Sequence, residues 1–454
     1  MANRIWSDCE KFHRRDFLQI GSAGLVGLSL PSILKLEAQA SEAGQTLPAR
    51  ARSVILVWLP GGPATIDMWD LKPNAPAEIA GEFRPIPTRA DGIQICEHLP
   101  GMASVADKIT IVRSLAHTIP SHGPGTVFMT TGNKPTPAIQ YPSLGSLAAR
   151  LLSVERGVPP YVTFSDIRGG TAGTAGYLGT AYNPFMVEPR NSNGNGNGNG
   201  NGNGGRGPAF RLRGVQLPNG FTLDELEQRD RLLQSFDQGL RALDRSTDLV
   251  DGLDTFHRQA LEILRSDRTV RAFELHQESQ RIRAMYGESP FGQAALASRR
   301  LIEAGVRFVS FSVGGWDTHS QNFVSLRSRL LPQLDQILSA LIRDLDDRGL
   351  LDSTIVMCAG EFNRTPRINR NAGRDHWARS MAVVLAGGGF RRGFVYGSTD
   401  AQGMAPATEP CSPDDIAATI FHALGIDPHM ELNTPTGRPM QLFREGRVLQ
   451  PLLG

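Results

Sequence analysis

Four residues of types that bind divalent metals lie in the second half of the chain. Asp317 and His319 follow one apolar run, Glu361 follows the next, and His376 comes shortly afterwards. Carboxylate oxygens and imidazole nitrogens are the ligands of hard and borderline divalent ions. The sequence therefore predicts a metal site formed by Asp317, His319, Glu361 and His376.

Each of these residues also has an ordinary structural explanation. Asp317 could cap a following helix, and Glu361 could form a surface ion pair with Arg364. Two observations favour a site. The acids and histidines gather after two separate apolar runs, and Asp317 and His319 are two residues apart. In an extended segment, side chains with this spacing leave the backbone on the same side.

The elements that must position these residues alternate along the chain. Apolar runs bounded by glycine predict buried strands at residues 53–59, 109–114, 307–313, 354–359 and 382–386. Helical periodicity predicts helices at residues 126–131, 223–286 (two or three helices), 291–304, 325–348 and 412–426. Strand, helix and strand at this rhythm predict an α/β fold with parallel strands. Ligands bind beyond the carboxyl ends of such strands, where the four residues fall.

Two further loops should reach the same edge of the sheet. Two glycines end the first strand and allow the backbone to approach a ligand closely, and Asp67 or Asp70 then supplies an acid. After the second strand, Ser121 and His122 precede a short helix. A helix N-terminus can bind an anion. Simple capping by Ser121 and ordinary turn roles for the two aspartates are the alternatives.

The first forty residues predict an export signal. They contain the pair Arg14-Arg15, an apolar segment at residues 20–30 and the small-residue cleavage site Ala38-Gln39-Ala40. The apolar segment is too short for a membrane span. Residues 41–52 are predicted to be a linker, so the mature protein should be periplasmic or extracellular without a stable membrane span.

Composition narrows the classes of partner. The chain has 47 basic and 45 acidic residues, and residues 1–40 hold five and four of them, which leaves 42 and 41. Such a balance argues against nucleic-acid binding. After cleavage the cysteines are Cys96, Cys358 and Cys411, which lack the close spacing of a disulfide framework or a thiolate zinc site.

One segment is predicted to lack regular structure. Residues 177–190 have the character of a loop, and an Asn-Gly tract follows within residues 191–207. Such a tract cannot bury apolar surface, so it predicts a disordered insertion. We expect the insertion to interrupt a single domain that spans residues 53–454.

These motifs together resemble a known family. Its pattern is carried by the twin-arginine leader and by five segments, namely Gly61-Gly-Pro with Asp67, Ser121-His-Gly, Gly314-Gly-Trp-Asp-Thr-His319, Gly360-Glu-Phe-Asn-Arg-Thr-Pro366 and Gly373-Arg-Asp-His-Trp377. The chain is on this basis similar to the exported domain-of-unknown-function family DUF1501. That family resembles the alkaline phosphatase and sulfatase superfamily.

The resemblance implies a three-layer sandwich, with helices on both faces of a mostly parallel sheet. It implies one or two divalent ions (zinc, calcium, magnesium or manganese), with Asp67, Asp317, His319, Glu361 and His376 as ligands. It also implies a nucleophile at a helix N-terminus. One alignment places Thr118 there and another places His122, while Ser121 lies between them, so the nucleophile stays open.

Two functions are compatible with these observations. The first is an exported, metal-dependent hydrolase of phosphate or sulfate esters, in which Arg364 or Arg374 clamps the substrate oxygens. Its substrate would be a small molecule or a glycan ester. The alternative is a non-catalytic envelope protein or glycan-binding protein that keeps the sulfatase-like fold. Metal content would distinguish them.

Overall fold

A nine-stranded sheet organises the protein. The computed structural model describes residues 47–164, 173–189, 210–212, 259–260, 262–263 and 266–454. We number the strands of this sheet in chain order. They are β1 (Ser53–Trp58), β2 (Ile109–Leu115), β3 (Tyr161–Thr163), β4 (Phe185–Pro189), β5 (Phe210–Leu212), β6 (Phe308–Ser312), β7 (Thr354–Ala359), β8 (Met381–Ala386) and β9 (Phe394–Tyr396).

The sheet is mostly parallel. Its strand order is β9-β2-β8-β7-β1-β6-β3-β4-β5. Strand β1 lies at the centre and pairs in parallel with both β6 and β7. Within the described strands of this sheet, only β8 and β5 run antiparallel to their neighbours. Four short two-stranded ribbons lie outside the sheet, at Pro85–Pro87 with Gln94–Cys96, Asn363–Arg364 with His376–Trp377, Ser398–Thr399 with Pro406–Thr408, and Glu431–Asn433 with Pro439–Gln441.

Helices cover both faces of the sheet. They are α1 (Ala77–Ala80), α2 (Pro100–Ala103), α3 (His122–Thr131), α4 (Leu144–Leu151), α5 (Asp267–Ala272), α6 (Gln280–Tyr286), α7 (Pro290–Glu303), α8 (Asn322–Ser325), α9 (Leu331–Asp347) and α10 (Pro413–Ala423). Ile55 and Val57 of β1 share one buried core with apolar residues of α7 and α9. Val54 and Leu56 point the other way, into a second core with α4 and α10. The predicted fold class, a three-layer sandwich around a mostly parallel sheet, is confirmed.

Two details differ from the sequence prediction. The segment 177–190 is not simply a loop, because Phe185–Pro189 forms strand β4, in which Phe185 and Val187 are buried at alternate positions. The predicted long helix at 325–348 is interrupted by a π-helical segment at Leu326–Leu330. Pro332 explains the interruption, since it has no amide hydrogen for the carbonyl of Ser328 four residues earlier.

Some predictions fall outside the described residues. They are the leader at 1–40, the insertion at 191–207 and residues 223–258 of the helical region predicted at 223–286. Within the described ranges, no helix is both long enough and apolar enough to cross a membrane.

Candidate functional site

One edge of the sheet gathers the polar residues of five strands. The parallel strands β1, β2, β6 and β7 all end at this edge. Strand β8 runs in the opposite direction, so it begins where they end. The residues that precede β8, including His376, therefore arrive beside the residues that follow β6 and β7.

Asp317, His319 and His376 converge at this edge. Nε2 of His319 lies 3.1 Å from Oδ1 of Asp317 and 3.0 Å from Nε2 of His376. Nε2 of His376 lies 3.5 Å from the same carboxylate oxygen. These are three of the four residues that the sequence predicted to form the site; the fourth, Glu361, lies behind them. All three side chains are partly open to solvent, so a ligand can reach them.

His122 is the fourth residue of this cluster. It is the first residue of α3, and its Nε2 lies 3.4 Å from Oδ2 of Asp317. The ligand atoms of His122, Asp317 and His376 all lie within 4.8 Å of one another, as those of a metal site do. We refer to His122, Asp317, His319 and His376 as the histidine cluster.

Each histidine of the cluster is held through its other ring nitrogen. Nδ1 of His319 lies 2.9 Å from Oδ1 of Asp375, and Nδ1 of His376 lies 3.0 Å from the carbonyl oxygen of Pro120. Nδ1 of His122 lies 2.6 Å from Oε1 of Glu361. A carbonyl or carboxylate oxygen only accepts, so each Nδ1 donates its hydrogen. In the neutral rings, each Nε2 therefore directs a lone pair into the cluster.

The electrostatics of this cluster keep the carboxylate of Asp317 ionised. Burial alone would raise the pKa of Asp317, but its hydrogen bond to Arg364 and the nearby positive charges outweigh burial and lower that pKa to about 2. The pKa of His376 is lowered, first by burial and then by the charge of Arg364. Asp317 is therefore ionised at neutral pH while His376 resists protonation.

Glu361 lies behind His122 and is fully buried. Its Oε1 accepts hydrogen bonds from Nδ1 of His122 and from the amide of Gly61, the latter at 2.8 Å. Its Oε2 is buried without a hydrogen-bond partner. Glu361 therefore contacts the cluster through His122 and orients its ring. Carboxylates support metal-binding histidines in the same way.

Arg364 is also buried and supports Asp317. Its Nη2 donates to Oδ1 of Asp317 and to the carbonyl of Gly61, and its Nε donates to the carbonyl of Gly62 at 2.8 Å. Its Nη1 donates to the carbonyl of Arg374 at 3.1 Å. The guanidinium therefore faces protein acceptors, whereas the sequence predicted a clamp on a substrate.

Asp67 occupies a separate buried ion pair. Its two oxygens accept hydrogen bonds from Arg374 at 2.7 and 2.8 Å, and Asn322 donates to it at 2.8 Å. Arg374, the other predicted clamp, is fully buried by this pairing. Asp70 contacts Lys72 at 2.9 Å and also accepts from Thr399. The structure therefore brings neither Asp67 nor Asp70 into the histidine cluster.

The candidate nucleophiles lie on the loop before α3. Thr118 and Ser121 are both exposed. Ser121 is the N-cap residue of α3, but its side chain makes no capping hydrogen bond. The carbonyl of Pro120, between them, binds His376. Both hydroxyl groups therefore belong to a loop that contacts the histidine cluster.

Close backbone packing brings the loops after β1 and β6 together. Gly61 has φ +113°, and a Cβ atom at this position would lie 2.5 Å from the amide nitrogen of Asp317. Glycine is therefore required there for steric reasons. Its amide holds Glu361 and its carbonyl holds Arg364, so one backbone position links both supporting residues.

Sequence reasoning missed three supporting residues. Asp375 holds His319, and Asn369 donates to Oδ1 of Asp375 at 3.2 Å and to the carbonyl of His319 at 3.0 Å. His117 lies 2.8 Å from the carbonyl of Glu361 through Nε2. The only sequence signal for Asp375 was its place beside His376 in the motif that starts at Gly373.

The donor set fits a metal ion. Four ligands at about 2.0–2.1 Å from a tetrahedral ion lie about 3.3 Å apart. Each histidine lies 3.1–3.5 Å from a carboxylate oxygen of Asp317, and His319 lies 3.0 Å from His376. The histidine cluster therefore has a spacing that one ion can bridge. The fold and site together define an α/β protein with a His/Asp centre at the carboxyl edge of its sheet.

Comparison with known proteins identifies the family. The model of the family described as "Protein of unknown function (DUF1501)" matches residues 51–453, so the chain belongs to that family. No curated protein matches the chain.

Several solved structures are similar to this chain. The lipoteichoic acid synthase LtaP from Listeria monocytogenes is 10% identical, with a TM-score of 0.35 over 89% of this chain and 76% of its own. The sulfatase PsFucS1 from Pseudoalteromonas sp. is 11% identical, with a TM-score of 0.35 over 86% and 70%. The phosphonate monoester hydrolase SpPMH from Silicibacter pomeroyi is 12% identical, with a TM-score of 0.31 over 89% and 76%. TM-scores this low do not support the transfer of a mechanism from these proteins to this chain.

Proposed function

We propose that this protein is an exported, metal-dependent hydrolase of phosphate or sulfate esters. The observation that carries the proposal is the histidine cluster, in which the Nε2 atoms of three histidines each lie within 3.5 Å of the carboxylate of Asp317. Without a cation these groups would repel one another, since like partial charges approach to 3.0–3.5 Å. A divalent ion supplies Lewis-acid polarisation of an ester oxygen when it is bound.

The chain's own residues would prepare the site for that chemistry. His122, Asp317, His319 and His376 would hold the ion. Glu361, Asp375 and the carbonyl of Pro120 fix the tautomer and the orientation of the rings, which reduces the reorganisation needed on binding. Thr118 and Ser121 offer exposed hydroxyl groups on the adjacent loop as candidate nucleophiles.

One observation favours the non-catalytic alternative. Arg364 and Arg374, the residues expected to bind the substrate's oxygens, are fully buried and donate to protein acceptors. Ester hydrolysis would then depend on the ion and on backbone amides at the N-terminus of α3 for charge stabilisation. A glycan-binding protein that keeps the fold would need no such stabilisation.

Replacement of His376 tests the proposal. The wild type should hydrolyse members of a panel of phosphate monoesters, phosphate diesters and sulfate esters, and it should lose activity after chelation and regain it with a divalent ion. His376→Ala should lower both metal content and hydrolysis while the far-UV circular dichroism is unchanged. His276→Ala, which changes an exposed histidine, is the matched control. A wild type that holds no metal and hydrolyses none of the panel would favour the binding protein.

Two alanine variants would identify the attacking group. If Thr118 or Ser121 is the nucleophile, its replacement alone should lower kcat by several orders of magnitude, because covalent catalysis needs that oxygen. If neither replacement lowers kcat while His376→Ala is inactive, an activated water is the attacking group.

The exported location belongs to the same proposal and rests on the leader sequence. Replacing Arg14 and Arg15 with lysine should retain the protein in the cytoplasm, because twin-arginine recognition requires that pair. Fractionation of producing cells would measure this. Equal export of the variant would contradict it.

A further inference from the structure

We infer that the histidine cluster takes one divalent ion of the nitrogen-preferring, zinc-like class, and that the guanidinium of Arg364 fills the place beside Asp317 that a second ion would need. This inference rests on the proposed metal centre, and it assigns the number and the class of the ions.

The ligand atoms favour a borderline ion over a hard one. The cluster offers three imidazole nitrogens and one carboxylate group. Calcium takes six to eight oxygen ligands, and magnesium is bound through carboxylates, phosphates and water. Imidazole nitrogens instead suit zinc and its first-row neighbours. Calcium and magnesium should therefore compete poorly at this position.

The acids around the cluster leave too few ligands for a second ion. Asp67 is bound at both oxygens by Arg374. Asp375 accepts hydrogen bonds from His319 and Asn369 at Oδ1, and its side chain is exposed. Among the described residues of this edge, Oε2 of Glu361 is the carboxylate oxygen that is buried without a partner. A single oxygen cannot hold an ion by itself, since even the smallest coordination number in such sites is about four.

Arg364 already places a positive charge against Asp317. Paired ions in two-metal sites stand about 3.5–4 Å apart and share ligands. Here the guanidinium contacts Oδ1 of Asp317 from the buried side, and it is surrounded by the carbonyl oxygens of Gly61, Gly62 and Arg374. These acceptors form an oxygen-rich set, which is the kind a hard cation would use. A guanidinium stays protonated at neutral pH, so this charge is permanent.

Metal titration of the full protein tests the inference. Chelator-treated wild type should bind one equivalent of Co²⁺ or Zn²⁺ by equilibrium dialysis with elemental analysis. The visible spectrum of bound Co²⁺ should be that of a four-coordinate, nitrogen-rich site, and a hundredfold excess of Ca²⁺ or Mg²⁺ should not displace the ion. Two equivalents in the wild type, or displacement by Ca²⁺, would overturn the inference.

Two variants test the role of Arg364. Arg364→Lys keeps the charge and should still bind one ion. Arg364→Ala exposes the oxygen-rich set, and it should take up a second ion, including Ca²⁺ at millimolar concentration. If Arg364→Ala folds but binds only one ion, Arg364 does not occupy the position of a second ion. If Arg364→Ala does not fold, the stoichiometry of the wild type and of Arg364→Lys still decides the number of ions.

The outcomes separate this inference from the proposed function. One bound ion without ester hydrolysis would reject the hydrolase and keep the inference. Two bound ions with ester hydrolysis would reject the inference and keep the hydrolase. A protein that binds no ion would reject both the hydrolase and the inference.

Discussion

The Nε2 atoms of His319 and His376 lie 3.0 Å apart, and both rings donate from Nδ1 to oxygens that can only accept. Two neutral imidazoles in this arrangement direct lone pairs at each other and at Asp317. A metal ion bound between them would relieve this repulsion. The relationship between these two histidines therefore leads directly to predictions about metal binding.

The first prediction concerns stability. An ion that binds only the folded protein stabilises it by about 4 kcal/mol when its free concentration is a thousand times its Kd. Zinc should therefore raise the unfolding temperature of the chelator-treated wild type by several degrees, as measured by differential scanning calorimetry. His376→Ala should show little or no rise, because it removes a ligand. His276→Ala should respond like the wild type. An equal response of all three proteins would place the bound ion elsewhere.

The second prediction concerns Asp375. Its carboxylate receives the Nδ1 hydrogen of His319, and the loss of such a partner typically lowers metal affinity about 10–100-fold. Asp375→Asn should show that loss in a competition assay with a chromophoric chelator, with an unchanged stoichiometry. Asp352→Asn, which alters an exposed ion pair with Arg392, is the control. Unchanged affinity in Asp375→Asn would mean that His319 needs no such partner.

Much of the site's position could be predicted because local patterns determine it. Strands β1, β2, β6, β7 and β8 are short apolar runs that end at glycine or polar residues, so their location and type follow from composition. Parallel strands end at one edge, and this rule alone brings Asp317 and His319 towards Glu361.

The partners of the buried arginines could not be predicted in this way. Asp67 and Arg374 are 307 residues apart in the chain, and nothing local distinguishes their buried ion pair from a functional acid and a substrate clamp. Arg364 likewise meets Asp317 only through tertiary packing. The place of His122 in the cluster was also hard to predict. It depends on the residue at which α3 begins, and the ends of helices are difficult to define to within one or two residues.

The third prediction concerns a buried ion network far from the histidine cluster. Arg299 is fully buried and binds Glu278 at 2.7 Å and Asp344 at 2.8 Å. Burial alone would raise the pKa of Glu278, but its hydrogen bonds to Arg299 and Arg300 outweigh burial and lower it. Glu278→Gln should therefore reduce the free energy of unfolding by about 2–3 kcal/mol at pH 7.

The pH dependence of that difference follows from the direction of the shift. A carboxyl group whose pKa is lower in the folded state stabilises the protein above its unfolded pKa, and the contribution is lost as pH falls through the folded value. The difference between wild type and Glu278→Gln in urea unfolding should therefore be largest at neutral pH and should shrink below about pH 4.5. Glu445→Gln, in an exposed pair with Lys134, should cost less than about 1 kcal/mol. A difference that is constant with pH would show that Glu278 contributes through packing.

The fourth prediction tests the close contact between the loops that carry His319 and His376. A Cβ atom on Gly373 would lie 2.0 Å from the carbonyl oxygen of His319, and the atoms in the way are backbone. Gly373→Ala should therefore separate the loops, cost about 1–3 kcal/mol of stability and weaken zinc binding at least tenfold. Gly314→Ala is the matched control, because a Cβ there meets no atom within 4 Å. The control should keep both stability and zinc affinity close to wild type. Equal zinc affinity in the two variants would show that the histidine cluster does not depend on this contact.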